Sequence, residues 1–288
     1  MKVKVITDSG TCMDKAEAES YGLEYFPLQV MIEDESYLDG VNLKTEQLYD
    51  YLDKGYLPKT SMPPLGLIED TFDEYVKDGV TDVILITLSN GLSGTNSAIC
   101  TSGMNHGIKM HTLDIYTTLA PERYWAISAA KLANDGVAPA EIIKRIQESV
   151  DNSKGYLMPE NLEHLARGGR LSPTSAKLAG MLKIVPILEV SKDSGGKVGK
   201  DSEKVRTMSK AIKKTCKTIA KAIKDPKDYE IFALDSRSPE YLKMAVDEFK
   251  ELLGNDISIT VVPIGAVIAS HTGNGAIGLQ YAKKVKGV

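Results

Sequence analysis

Apolar and polar positions along the chain follow two rhythms that keep trading places. Lys2 to Ile6 alternates like a strand, gives way to the polar loop Thr7-Asp8-Ser9-Gly10, and is followed by helical spacing from Asp14 to Tyr21. Tyr25 to Ile32 and Tyr37-Leu38 read as strands joined by the acidic turn Glu33-Asp34-Glu35, and a helix from Thr45 to Leu52 follows with Thr45 as its N-cap. Pro64 or Leu65 opens a helix to Lys77, and Val83 to Leu88 is an unbroken apolar run, as a strand covered on both faces requires. A helix from Ser93, a strand from Lys109 to Leu113 and helices over Pro121 to Asn134 and Pro139 to Ser149 continue the alternation. Such a series predicts a mostly parallel sheet flanked by helices.

The loop from Asp151 to Gly155 reads as a boundary, giving one domain over 1–154, with a small strand-rich insertion near 25–60, and another over 155–288. In the second, a short helix from Pro159 to Ala166 ends at Gly168-Gly169, and a helix from Thr174 leads to a strand over Ile184 to Val190. Ser194-Gly195-Gly196 is a hairpin turn signal. From Lys204 to Ile223, Val205, Met208, Ile212, Ile219 and Ile223 share one side of a helix whose other side is basic. Strands over Tyr229 to Leu234 and Ile257 to Val262, a helix from Pro239 to Leu252 and a last helical turn near Ala276 complete the reading.

Composition alters this picture little: 288 residues, 42% hydrophobic and 26% charged, suffice for a sizeable buried core. Charge alters it more, because residues 1 to 80 carry a net −10 and residues 192 to 227 a net +8 within a total of −4. The basic stretch lacks interleaved aromatics and any nucleic-acid-binding motif, so nucleic acid is not an expected partner. Cys12, Cys100 and Cys216 are scattered, with no metal or redox spacing, and the N-terminus turns polar at Thr7-Asp8, too soon for an export signal. The expected location is the cytoplasm. The longest apolar stretch, Val261 to Ala269, is about half a membrane span, so no stable insertion is expected, and membrane contact would be transient.

Several loops carry candidate chemistry. Ser89-Asn90-Gly91-Leu92-Ser93-Gly94-Thr95 leaves a strand and opens a helix, where unpaired N–H groups favour an anion; Ser93 either faces that anion or caps the helix. Thr7-Asp8-Ser9, Thr60-Ser61-Met62-Pro63 and His271-Thr272-Gly273-Asn274-Gly275 also fall at element ends, and in a parallel sheet such loops gather along one edge. Asp8 has a second reading as a carboxylate that ties its loop, and Thr60-Ser61 as a helix cap. Other motifs fail. Gly273-x-Gly275-x-x-Gly278 stands too near the end of the chain for a dinucleotide site, and Lys200 lacks the neighbours of a P-loop. Gly91-x-Ser93-Gly94-Thr95 only approximates a hydrolase elbow, and His106, His111, His164 and His271 have no zinc spacing, so neither metal nor other cofactor is expected.

Seven segments together resemble the DegV family. They are Val5-Ile6-Thr7-Asp8-Ser9, Lys59-Thr60-Ser61-Met62-Pro63, the loop from Ser89 to Thr95, Leu162 to Ser172 with Arg167-Gly168-Gly169-Arg170, Leu182 to Leu188, Lys204-Val205-Arg206-Thr207, and Ile264 to Gly273. The resemblance implies a two-lobed α/β fold with a mostly parallel first sheet and a mixed second one. It implies one long-chain fatty acid held between the lobes and presented to an ATP-using fatty acid kinase subunit that makes acyl phosphate, the chain itself being a carrier and not an enzyme. By carry-over, Ser61 and Ser93 bond the carboxylate, Thr60, Gly94, His271 and Thr272 lie nearby, and Arg170 and Arg206 serve phosphoryl transfer or docking. Met62 stands where the family usually has Gln, Asn274 where it usually has Pro, and Thr112 to Trp125 departs from the family's usual Gly-rich segment at one wall of the pocket. A lipid hydrolase using Ser93, or a lipid-binding regulator without a kinase, are the alternatives. Burying a dozen methylenes at ~0.8 kcal/mol each offers roughly 10 kcal/mol before ordering costs, provided the carboxylate is fully bonded.

Overall fold

A computed structural model describes residues 2–171 and 184–288. In the first lobe, strands β1 (Val3–Asp8), β2 (Leu23–Phe26), β6 (Asp82–Leu85) and β7 (Lys109–Thr112) form a parallel sheet in the order β2-β1-β6-β7. Helices α3 (Leu65–Lys77) and α4 (Thr95–Asn105) cover one face, with Ile6, Phe26, Phe72, Val83, Leu85 and Ile99 packed between them. The other face meets α5 (Ala120–Asn134) and α6 (Pro139–Val150). Beyond these lies a six-stranded mixed sheet, β10-β9-β8-β13-β11-β12, built from β8 (Ser153–Met158), β9 (Val185–Val190), β10 (Lys200–Val205), β11 (Tyr229–Asp235), β12 (Ile259–Pro263) and β13 (Ile277–Lys283). Only the β11/β12 pair in that sheet is parallel.

Strand alternation gives the second sheet two apolar faces. Met158, Ile187, Ile231, Ala233 and Leu279 face α8 (Met208–Ala222) and α9 (Pro239–Leu253), whereas Leu157, Leu188, Val190, Phe232 and Leu234 join the core shared with the first lobe. Helix α5 lies between the two sheets and is accordingly buried on several sides, with small residues such as Ala126 and Ala129 where both sheets approach. Trp125 donates to Ser149 Oγ (2.8 Å), and Ser149 in turn donates to the Lys283 carbonyl, tying α5, α6 and β13 together.

The insertion forms a small antiparallel sheet, β4-β3-β5, from β3 (Gln29–Ile32), β4 (Glu35–Leu38) and β5 (Lys59–Ser61), with α2 (Thr45–Asp53) beside it. Late segments of the chain grip this insertion. The short helix α10 (Ala266–Thr272) packs on α2, and Tyr49 donates to the Ile264 carbonyl (2.6 Å). Arg237, after β11, bonds Glu46, Asp50 and Asp53 of α2. Asn274 uses its amide where proline has none, donating to the Tyr49 carbonyl (3.2 Å) and to Asp53 (2.6 Å).

Several expected elements differ. Tyr25 to Ile32 is two strands in two sheets, broken at Pro27, whose nitrogen cannot donate to a ladder. The N-cap of α2 is Lys44, whose N–H is accepted by Gln47 (2.8 Å), not Thr45, and α4 begins at Thr95, two residues after Ser93. The segment 151–155 is a tight turn that enters β8 at Ser153, and the helix expected from Pro159 is α7 (Leu162–Arg167), capped by Asn161. Strand β10 occupies residues expected at the start of a helix; Lys200 to Lys204 has no apolar alternation, as suits an edge strand, and α8 waits for its Thr207 cap. The helical turn near Ala276 is instead the start of β13, a strand inside the sheet that is apolar on both faces, and helix α10 precedes it. The helix expected from Thr174 lies outside the described residues.

Candidate functional site

The loops after β6 and β7, strand β5 and helix α10 open onto a cavity of about 390 Å3 between the lobes. Of the residues named from sequence, Thr60, Ser61, Ser93, Gly94, Arg170, His271 and Thr272 all line it. Ser61 and Gly94 are exposed, Thr60, Ser93, Arg170 and His271 half-buried, and Thr272 buried, so the set spans the cavity from its rim inward. Arg206 does not join them: it is exposed just ahead of α8 and forms no part of the wall.

Local structure explains how each hydroxyl is aimed. Thr60 and Ser61 sit on β5, so neither caps α3, whose N-cap is Pro64 without a side-chain bond. Ser93 accepts from the Thr95 N–H (3.3 Å) and its hydroxyl pairs with Thr95 Oγ1 (2.8 Å), while Gly94 takes the cap position. Ser93 is therefore not the N-cap, although it bonds the first turn of α4, and it lies in the cavity wall. Gly94 lets the wall close, since a Cβ there would stand 3.2 Å from Met62 Sδ.

His271 is held at both nitrogens. Nδ1 lies 3.1 Å from the Gly168 carbonyl, which can only accept, so Nδ1 carries the proton and Nε2 accepts from Thr60 Oγ1 at 2.7 Å. Burial pushes this imidazole down to about 4, with the Arg170 charge adding to the effect, the Gly168 bond opposing it and His164 reinforcing it. The ring is neutral near pH 7, and Thr60 presents its oxygen lone pairs to the cavity. Arg170 Nη1 donates to the same Gly168 carbonyl (2.9 Å). Both histidine nitrogens are thus occupied, and neither bonds Ser93, so no serine–histidine pair of the kind a hydrolase uses is assembled here.

The Thr7-Asp8-Ser9 loop does not reach the cavity wall, and Asp8 and Ser9 act as ties. Asp8 accepts from Gly10 N–H (2.7 Å) and Leu88 N–H (3.1 Å), and Ser9 accepts from Leu28 N–H (3.1 Å), locking the β1 loop to the loop after β6 and to the insertion. Gly10 is required there, because a Cβ would stand 2.6 Å from Glu122 Oε2 and 2.8 Å from both Asp8 Oδ1 and Thr118 Oγ1. Burial raises the Asp8 carboxyl to about 6 and pushes Glu122 well above its ordinary range, the Asp8 charge adding to that.

Sequence reasoning missed the walls behind the rim. Leu28, Leu88 and Leu92 of the first lobe meet Leu157, Val190 and Val198 of the second, and Thr117 to Leu119, Gly278 and Gln280 complete the enclosure. The strand read over Ile184 to Val190 covers Val190, but β8 with Leu157 falls where a boundary loop is expected, and alternation does not say which neighbour a buried face meets. Among the described residues no helix is long and apolar enough to cross a membrane.

Residues 2–284 match the family model described as an uncharacterised protein of the DegV family. A DegV domain-containing protein of Streptococcus pyogenes serotype M1 is 34% identical over 282 residues, covering 96% of this chain and 97% of that protein. The crystal structure of a fatty acid binding DegV family protein from Streptococcus agalactiae superposes with a TM-score of 0.88 at 29% identity, covering 99% of each chain. DegV from Bacillus subtilis, described as a fatty acid binding protein, gives 0.87 at 28% identity over 99% of this chain and 100% of its own.

Proposed function

The chain belongs to the DegV family, and from that premise we propose that it holds one long-chain fatty acid between its lobes and presents the carboxylate to an ATP-using kinase subunit for conversion to acyl phosphate. The observation that carries the binding half is a single cavity with hydroxyls and a neutral imidazole at its rim and aliphatic side chains behind. Tail burial supplies the affinity, and Ser61 and Ser93 hold the headgroup with the help of Thr60, Gly94, His271 and Thr272. The lobes divide near residue 154, the working location is the cytoplasm, and membrane contact is limited to lipid exchange. Arg170 at the rim and exposed Arg206 serve the kinase encounter, which a basic surface between residues 192 and 227 favours.

Mass spectrometry of an organic extract of the purified protein is expected to find fatty acid in near-equal amount; protein free of any lipid refutes the reading. Ser93→Ala and Ser61→Ala each remove a bond to a charged group, worth about 1.5–3 kcal/mol, so each weakens binding about 10- to 150-fold. Arg206→Ala spares lipid binding and slows phosphorylation by the kinase subunit. Equal lipid loss in all three variants contradicts this division of labour.

A proton accompanies the ligand. With Nδ1–H committed to Gly168 and the Thr60 hydroxyl proton committed to Nε2, a carboxylate beside Thr60 meets only lone pairs until one proton enters the His271–carboxyl pair. Calorimetric binding enthalpies measured near pH 7 are therefore expected to vary with the ionisation heat of the buffer. An enthalpy independent of buffer removes Thr60 from the headgroup.

A further inference from the structure

One group on the cavity wall is left over by a hydrocarbon tail. Gln280 lies in mid-strand on β13, 4% exposed, on the face of the second sheet turned toward the first lobe. Its neighbour across the ladder is Gly155, where a Cβ would stand 3.0 Å from Gln280 Nε2, so the missing side chain leaves space for the amide. That amide donates to Thr117 Oγ1 (3.1 Å) and to the Thr118 carbonyl (3.2 Å). A main-chain carbonyl can only accept, so the NH2 must face Thr118 and the orientation of the amide is fixed. Gln280 Oε1 consequently points elsewhere, buried and without a hydrogen-bond partner.

Tying β13 to the segment before α5 accounts for the NH2 and leaves the oxygen unexplained. An unsatisfied buried acceptor costs about 1–3 kcal/mol, and such groups are uncommon in folded proteins unless something fills them. Thr117, 4% exposed and also on the cavity wall, accepts the Gln280 bond and keeps its own hydroxyl proton to donate. An acceptor and a donor thus stand on neighbouring side chains of a wall that also includes Leu119, Leu157 and Val190. A hydroxyl group, which donates once and accepts, matches that pair; a methylene matches neither.

We propose that Gln280 and Thr117 form a second polar station in the cavity, which selects an acyl chain bearing a hydroxyl group over an unsubstituted one. The inference rests on the fatty-acid reading and names its substrate class: a hydroxy fatty acid whose hydroxyl donates to Gln280 Oε1 and accepts from Thr117.

Dissociation constants for stearate and for a positional series of monohydroxystearates test it, in the wild-type chain, in Gln280→Leu and in Thr117→Val. At least one isomer is expected to bind about tenfold or more tighter than stearate in the wild type, a difference of about 1.4 kcal/mol. Both variants should reduce the ratio of hydroxystearate to stearate affinity to about twofold or less. Thr117→Val keeps the Gln280 bond to Thr118, so it remains informative if Gln280→Leu lowers the melting temperature. Stearate binding tighter than every hydroxylated isomer in the wild type overturns the proposal, as does a preference that survives both substitutions. Failure of stearate and all isomers to bind removes the fatty-acid reading and this one with it, whereas stearate binding without hydroxyl preference removes this one alone.

Discussion

Protein carrying Gly278→Phe is expected to fold normally and to come through purification without lipid. Gly278 lies on β13 between Leu157 of β8 and Leu234 of β11, on the wall of the cavity. Its backbone is not in the left-handed region, and a Cβ there would rest 3.5 Å from Leu234 Cβ and Cδ1, an ordinary contact, so the strand accepts a side chain. Phenylalanine suits a strand, and its ring must project into the space that the acyl tail needs. Excluding half of a dozen methylenes forfeits roughly 5 kcal/mol, a loss of more than about a thousandfold in affinity. Lipid per protein, measured by mass spectrometry beside a thermal melt, checks this, and Gly278→Ala should behave nearly as the wild type. A folded Gly278→Phe protein that still carries one fatty acid per chain shows that the tail lies elsewhere.

That the blocking position is a glycine in mid-strand says why sequence served the rim better than the interior. Ser61, Ser93 and His271 stand out in the sequence because hydroxyls and a histidine fall near element ends; parallel-strand topology accounts for the Ser93 loop, whereas Ser61 reaches the same cavity from β5 of the antiparallel insertion and His271 from α10. Gln280, Leu157 and Gly278 come from the body of β8 and β13, which the sequence pattern does not mark as strands, and even a marked strand's alternation does not say what its buried face opposes. The same limit produced the misplaced final turn. Gly273 and Gly275 punctuate the chain, and a short apolar run after them fits a helix turn or a doubly buried strand equally well. Thr45, too, has the chemistry of an N-cap, yet Lys44 takes the position because Gln47 can reach its N–H. The Asp8 loop carried a family motif and candidate chemistry, and its geometry serves the scaffold: the carboxylate pins the β1 loop from which the Ser93 loop takes its position.

Those buried carboxyls give the fold an uncommon pH response. Asp39, 4% exposed, accepts from the Val267 N–H at 3.0 Å and so holds the first turn of α10, the helix that carries His271, against the insertion. Burial raises it to about 7 and raises Asp8 to about 6, both from 3.8, and pushes Glu122 up as well. Between their unfolded and folded values these groups bind more protons in the folded chain, so their contribution to stability is fully present below about pH 4 and disappears as pH rises through 6 to 7. At pH 5 the two aspartates together contribute about 4 kcal/mol that is absent at pH 8. His271 opposes them: held down to about 4, it favours the unfolded chain as pH falls below 6.5 and removes about 2 kcal/mol by pH 5. Asp82, lowered by its bond to His111, acts only below the ordinary aspartate value of about 3.9. The net expectation is a protein more stable at pH 5 than at pH 8, with Glu122 and the raised His106 adding to the difference. Denaturant unfolding at pH 5, 6, 7 and 8 reads it directly. Asp39→Asn keeps an acceptor for Val267 and cannot ionise, so that variant should lose more than half of the aspartate contribution and show a smaller excess of stability at pH 5 over pH 8 than the wild type. Wild-type stability that is flat or climbs from pH 5 to pH 8 contradicts the assignment of these carboxyls as protonated in the folded chain.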